Sequence, residues 1–467
     1  MCGVVGIVRK NGDVAPDLYV ATIKLQHRAH DMAGIATSDT VKTYCERGMG
    51  EVAIAFTKEK LAAMEGSVGI GHVRWTTFGD LNIQNAHPIC GVFRGKKFYI
   101  GHNGQLTKLD ELMARFSDYQ PDVTTDTKFI AALISSSGKD TFEDALQYAC
   151  SILKGTYALV ILYNDAIYAV RDTSGNRPLV IGENGGSLMV ASETVAFNPL
   201  NGHYIDEVHP GEIVKITARP LEFTRMSIRE VPDEMPLRLK FCLFEMIYLL
   251  HPASIFLGRT VQLVRERMGM ELFKEHPLDA VENRMVIGIP DSGTPAARGY
   301  ARASKIPKET GIIRSHYSGR VFIEPVAERA EKYRIKYDVV GEMVRGKDVV
   351  GIDDSLIEGA TAKRIISLLK EKGAKKVSIL LTSPPSIAPC FYGVPTAYPH
   401  RRLIAADYKG NIEKIRQEID ADYLGYLSIG GTIRSVIDTV PTIPNYPKIT
   451  EEDFCIACFT GRYPIPL

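Results

Sequence analysis

No apolar run in this chain approaches the roughly 20 residues needed to cross a bilayer. The longest, residues 349–352 and 377–381, have the length of strands, so no membrane span is expected. The opening Met-Cys-Gly-Val-Val-Gly-Ile-Val lacks both the charged leader and the apolar stretch of a secretory signal, and a cytoplasmic protein is expected. Charge of one sign is missing too: 56 Lys and Arg against 55 Asp and Glu leave a net charge of +1, with no long basic block and a single Trp. That excludes the electrostatic footprint of a nucleic-acid binder and an amphipathic membrane anchor. Internal repeats and low-complexity tracts are also absent. Small molecules are the expected partners. The eight cysteines of such a chain read as thiols, nucleophiles or metal ligands rather than a disulfide framework.

The 467 residues, 45% hydrophobic and 24% charged, suit two globular domains with sizeable cores. As far as about residue 231 the pattern is one of short β-rich segments broken by Gly, Asn and Asp, at 2–8, 67–73, 97–100, 157–163, 166–171 and 212–216. Helical spacing appears at 18–25, 126–136 and 141–153. This half reads as antiparallel sheets with helices packed on them, an α+β or layered αββα fold. Residues 219–235, with two prolines and mixed charges, are the candidate connection, so the expected domains are 1–231 and 232–467. Beyond it strands and helices alternate. A strand at 284–289 runs into Pro290-Asp291-Ser292-Gly293 and a helix at 294–304. A second strand at 348–352 ends in Asp353-Asp354-Ser355 and leads to a helix at 360–372 and a strand at 376–381. This βαβ pattern predicts an α/β parallel sheet with ligands at the C-terminal strand ends.

Cys2 is the first chemical signal. Removal of Met1 would leave a thiol and a free amine on one residue, a nucleophile carrying its own base. Read alone, Cys2 is a small apolar residue opening a buried strand. Its company is Gln26-His27-Arg28, Asp31, Ala33-Gly34-Ile35, Gly71-His72-Val73-Arg74-Trp75-Thr76-Thr77, His102-Asn103-Gly104 and Thr125-Asp126-Thr127. Asn103-Gly104 alone would be a hairpin turn and Arg74 alone a surface charge. In this order, together they resemble the class II glutamine amidotransferases over most of residues 1–230, which implies an Ntn-hydrolase-like glutaminase domain. The resemblance makes Cys2 the nucleophile and puts Asn103 and the Gly104 amide around the oxyanion. Arg28, Arg74, Thr77 and Asp126 would bind glutamine, Arg74 its carboxylate and Asp126 its ammonium. Ala29-His30, Gln105 and Lys128 depart from the family pattern.

Residues 349–361, Val-Val-Gly-Ile-Asp-Asp-Ser-Leu-Ile-Glu-Gly-Ala-Thr, resemble the diphosphate-sugar signature of type I phosphoribosyltransferases. Two acids at a strand end suit ribose hydroxyls and Mg²⁺, and the amides at the following helix start suit a 5-phosphate. Otherwise an acidic pair there is a helix cap. The resemblance implies phosphoribosyl diphosphate binding by Asp353, Asp354, Ser355, Gly359, Thr361, Tyr317 and Arg320, with Mg²⁺ at Ser292, Asp353 and Asp354. Glu358, Ala360, Val321 and Ala253 are departures, Glu358 placing a negative charge beside the expected phosphate.

Jointly the two halves resemble the amidophosphoribosyltransferase family, to the last residues of the chain. Cys242 in Phe-Cys-Leu-Phe-Glu, Cys390 in Pro-Cys-Phe-Tyr-Gly, and Cys455 with Cys458 in a Cys-x-x-Cys pair match members that carry a four-iron, four-sulfur centre, with zinc the chemical alternative for four thiolates. The resemblance also implies a homo-oligomer, a dimer or tetramer, and feedback by purine nucleotides. Two rivals are a regulatory paralogue that keeps fold and pockets, and a glutamine-dependent enzyme with another acceptor such as a sugar phosphate.

Overall fold

In a computed structural model of the chain the described residues are 1–76, 79–116, 123–228, 239–315, 337–397, 401–444 and 446–467. The N-terminal half stacks two antiparallel sheets. Its strands are β1 (Gly3–Arg9), β2 (Met32–Ser38), β3 (Thr43–Met49), β4 (Val68–Arg74), β5 (Ile89–Phe93), β6 (Lys96–Leu106) and β7 (Gly155–Tyr163), followed by β8 (Ala166–Arg171), β9 (Val180–Glu183), β10 (Ser187–Ala191), β11 (His203–Glu207), β12 (Glu212–Ala218) and β13 (Leu221–Ser227). One sheet runs β11-β9-β10-β1-β4-β2-β3 and the other β13-β12-β8-β7-β6-β5.

Successive side chains of a strand point to opposite faces, so each sheet feeds two cores. In β1, Val4 and Val8 face the other sheet, while Val5 and Ile7 pack under the helix Ala15–Lys24. In β7, Val160 and Leu162 face inward, while Leu159 and Ile161 meet Phe129, Ile130 and Leu146 of the helices Asp126–Ser135 and Phe142–Ile152. Those two helices start where Thr125 and Thr141 cap the first-turn amides of Lys128 and Asp144. The αββα layering expected from the sequence is what forms.

The candidate connection is corrected. Residues 219–227 are not a linker: Arg219 and Pro220 lie in the turn of the β12–β13 hairpin, and β13 is the edge strand of its sheet. The crossing falls after residue 228, and residues 229–238, including the expected boundary near 231, lie outside the described residues.

The second half is built on a four-stranded parallel sheet in the order Arg284–Gly288, Asp348–Asp353, Lys376–Leu381, Tyr423–Tyr426. Helices cover both faces, as a parallel sheet demands. Val286, Val350, Ile352 and Leu380 pack on Val264, Met268 and Tyr300, whereas Ile287, Val349, Val377 and Ile379 pack on Ile365, Ile366 and Ile415. The first of these cores continues through Phe241, Leu243 and Met246 to Leu18 and Leu25 beneath the N-terminal sheet, so one apolar cluster joins both halves. The chain end returns to this junction, where Phe454–Cys455 pairs in parallel with Phe241–Cys242.

Candidate functional site

Cys2 immediately precedes β1, and β1 lies against β4, which ends at Arg74. That pairing sets the Cys2 Sγ 3.7 Å from the carbonyl oxygen of Trp75. Burial pushes the Cys2 thiol up, and Arg74 and Asp126 both lie within electrostatic reach of it. The chain's first amine, on Met1, is likewise buried and is pushed down to about 5, chiefly by that burial. A neutral amine and an un-ionised thiol are thus favoured side by side.

Asn103 and Gly104 lie in β6, opposite Ala158 and Tyr157 of β7. Asn103 is fully buried, yet neither its Oδ1 nor its Nδ2 has a hydrogen-bond partner among the described residues. Leaving a buried amide unsatisfied costs about 1–3 kcal/mol. Gly104 has φ +154, and a Cβ there would meet the Thr156 carbonyl oxygen at 2.1 Å, so only glycine fits. Asp126 is the first residue of the helix Asp126–Ser135. Burial would raise its carboxyl, but nearby His102 and the amides of Leu106 and Thr127 outweigh that and hold it below its ordinary value. Thr76 N–H donates to Asp31 at 2.7 Å, fixing the chain after Arg74. Thr77 lies outside the described residues. Of the departures, Lys128 donates to Thr124 at 2.9 Å and His30 approaches Glu51 at 3.7 Å.

Arg28, expected at the glutamine, spends its guanidinium donors within the chain. Its Nε donates to the Cys2 carbonyl oxygen at 2.8 Å, its Nη1 to Glu193, and its Nη2 to both Glu245 oxygens at 2.9 and 3.1 Å. A fully buried guanidinium needs such partners, and here they turn Arg28 into a support for the residue that carries the thiol. Glu193 is held well below the usual carboxylate range by His27 and Arg28 despite its burial.

At the other centre Asp353 ends its strand. The Asp354 amide donates to Asp353 Oδ1 at 2.9 Å, and Ser355 Oγ donates to Asp354 Oδ1 at 2.5 Å. The loop carrying Ser292 lies alongside, since a Cβ on Gly293 would stand 2.9 Å from the Asp353 Cα. Gly359 (φ +89) caps the helix Ala360–Glu371, whose first turn holds Thr361. The negative charge of Glu358 is matched by Arg401 Nη1 at 2.9 Å. Tyr317, Arg320 and Val321 lie outside the described residues.

The four cysteines singled out in the sequence line a single small, apolar-walled cavity. Burial pushes the thiols of Cys242 and Cys455 up to about 11 and about 12, and that of Cys458 well above its ordinary value. The Tyr392 amide already donates to Cys390 Sγ at 3.4 Å. No group of three or more His, Cys, Asp or Glu side chains that could hold a metal ion occurs among the described residues.

Sequence reasoning passed over Glu193, Arg177, Thr156 and His87, and took in His72 and Glu245 only as members of motifs, with no role assigned. Only Glu245 carried a visible signal, as a lone acid inside the apolar stretch 241–250.

An antiparallel αββα layer with a buried thiol just ahead of β1 and an unpartnered Asn103 in β6, joined to a parallel sheet with an acidic strand end, has the architecture of a glutamine amidotransferase coupled to a phosphoribosyltransferase. Residues 72–199 match a glutamine amidotransferase domain and residues 264–383 a phosphoribosyl transferase domain. The amidophosphoribosyltransferases of Methanothermobacter thermautotrophicus and Bacillus subtilis are each 36% identical, covering 100% and 99% of this chain and 95% and 94% of their own. A solved glutamine phosphoribosylpyrophosphate amidotransferase from B. subtilis, complexed with ADP and GMP, superimposes with a TM-score of 0.88 at 34% identity over 100% of this chain and 98% of that one. A second structure, described as the allosteric regulatory enzyme of purine biosynthesis, gives 0.89 at 35% identity, covering 100% and 96%. The chain belongs to the amidophosphoribosyltransferase family.

Proposed function

We propose that the chain converts glutamine, phosphoribosyl diphosphate and water into 5-phosphoribosylamine, glutamate and diphosphate, the first step of de novo purine biosynthesis. The observation that carries this reading is the buried Asn103 amide, which has no hydrogen-bond partner among the described residues.

Once Met1 is removed, the Cys2 amine takes the thiol proton and the sulfur attacks the glutamine side-chain carbonyl. Asn103 Nδ2 and the Gly104 amide donate to the developing oxyanion, the largest single electrostatic contribution in acyl transfer of this kind. Arg74 holds the substrate carboxylate and Asp126 its ammonium, one fixed cation and one fixed anion selecting a free amino acid. The amine returns its proton to the leaving nitrogen, and ammonia departs. Water then cleaves the thioester to glutamate and regenerates the thiol.

Ammonia attacks ribose C1 of phosphoribosyl diphosphate while the C1–O bond to diphosphate breaks. Asp353 and Asp354 orient the ribose hydroxyls, and the amides of 355–361 hold the 5-phosphate at the head of the helix Ala360–Glu371. Two carboxylates and Ser292 suit Mg²⁺ that arrives with its diphosphate, since Mg²⁺ keeps few protein ligands; it would neutralise the departing charge. Cys242, Cys390, Cys455 and Cys458 would hold a four-iron, four-sulfur centre in a structural role. Four thiolates lining one cavity suit such a cluster, with zinc the chemical alternative.

Feedback by purine nucleotides and a homo-oligomer are part of the proposal, the first supported by the ADP and GMP in the B. subtilis relative. Cytoplasmic action is consistent with the absence, among the described residues, of any helix long and apolar enough to cross a membrane. The test is glutamine-dependent release of diphosphate, assayed with and without phosphoribosyl diphosphate. Release that requires both supports the reading. A regulatory paralogue releases none, and an enzyme with another acceptor hydrolyses glutamine but leaves phosphoribosyl diphosphate intact.

A further inference from the structure

The carbonyl of Tyr392, in the loop that follows the strand Lys376–Leu381, is where the two sides of the glutamine site meet. On one side, Arg177 donates to it through Nε at 3.1 Å and also through Nη2. Arg177 Nη1 reaches Glu245 at 3.2 Å, Glu245 holds Arg28, and Arg28 holds the Cys2 carbonyl at 2.8 Å. On the other side, Thr156 Oγ1 donates to the same Tyr392 oxygen at 3.0 Å and accepts the Gln105 amide at 3.3 Å, one residue beyond Gly104. The next residue, Gly393, has φ +110 and lies so close that a Cβ on it would be 3.2 Å from the Gly104 carbonyl carbon. Arg28, Arg177, Glu245 and Thr156 are all buried, so each bond forms in a medium where a lost partner is not replaced by water.

Resting on the proposed function, we infer that the Tyr392–Gly393 peptide is a positioning element for amide hydrolysis, setting the spacing between the residue that carries the thiol and the strand that carries the oxyanion donors. Displacing either side by a fraction of an ångström misaligns donor and developing charge without touching the ribose site, because misplacements of about 1 Å cost up to about a hundredfold in rate.

Thr156→Val keeps the side-chain shape and removes both hydrogen bonds, and Gly393→Ala presses a methyl group toward Gly104. Each should lower kcat for glutamine hydrolysis by about tenfold or more, leave the glutamine KM within about threefold, and leave ammonia-dependent diphosphate release within about twofold of the parent. Thr156→Ser, which restores the donor, should recover most of the rate. Should Gly393→Ala fail to fold, the two Thr156 variants carry the test. Unchanged glutamine kcat in Thr156→Val overturns the inference, as does a parallel fall of both activities, which would mean general loosening. Cys2→Ala is measured alongside: if it hydrolyses glutamine normally the proposed function falls, whereas an inert Cys2→Ala with a normal Thr156→Val removes only the positioning role.

Discussion

Residues whose chemistry admits no substitute were the most readable from sequence. In the proposed reading Cys2, Asn103, Gly104 and Asp126 could be named because a nucleophile, a neutral donor, a cramped backbone and a fixed anion each call for one residue type in one motif order. Arg28 could be named but not understood, since its partners Glu193 and Glu245 lie 165 and 217 residues away. Nothing local in a chain announces such a pairing. The unpartnered Asn103 amide leads to a direct expectation. Asn103→Ala should lower kcat for glutamine hydrolysis by about 10²–10³ with little change in KM, the cost of one oxyanion donor. A fall below threefold in steady-state assays would remove Asn103 from the oxyanion hole. At the second centre, Asp353→Asn and Asp354→Asn should abolish phosphoribosyl transfer from either nitrogen source while basal glutamine hydrolysis persists. Loss of glutamine hydrolysis alone would show that the two chemistries are not divided between the domains.

Periodicity located the long elements well. The helix Thr294–Ser304 and the strands Ala166–Arg171 and Lys376–Leu381 lie where the pattern puts them. The strand Met32–Ser38 was missed because it is buried along its whole length and built mostly of small residues, leaving no alternation to read. The β12–β13 hairpin passed for a linker because β13 is an edge strand whose half-exposed charges mimic one. The buried His72 and His87 hydrogen-bond at 2.9 Å. Burial pushes His72 down to about 3 and His87 well below its ordinary value. A base depressed in the fold takes its proton first in the unfolded chain, so stability is complete above about pH 6.5 and falls as pH drops from there toward 3. His72 should cost on the order of 2 kcal/mol at pH 5, and His87 acts in the same direction. Urea unfolding at pH 7.5 and 5.0 reads this directly, and equal or greater stability at pH 5.0 contradicts it. Glu245→Ala, which strips Arg28 and Arg177 of their shared carboxylate, should destabilise by about 3–5 kcal/mol in the same measurement at pH 7.5. A loss under 1 kcal/mol would mean the buried arginines find other partners.

The two-domain plan was visible in the change from short antiparallel segments to βαβ alternation, but the junction was not. One apolar cluster, the Arg28–Glu245–Arg177 chain and the C-terminal strand Phe454–Cys455 tie the halves together through contacts between residues far apart in sequence. The four cysteines lie at that junction. Anaerobic purification should yield a brown protein with about four irons per chain, and air should bleach it with loss of both activities and of cooperative unfolding. Metal-free protein with full stability would refute a structural cluster. The division of labour between the halves is tested most directly by diphosphate release from phosphoribosyl diphosphate in the parent and in Cys2→Ala, each supplied with glutamine or with ammonia. The parent should use both nitrogen sources, and Cys2→Ala should lose glutamine-dependent release while keeping the ammonia-dependent reaction. Glutamine-dependent release that survives in Cys2→Ala, or a parent that releases no diphosphate from either source, would contradict the assignment of amide hydrolysis to Cys2 and of sugar transfer to the parallel sheet.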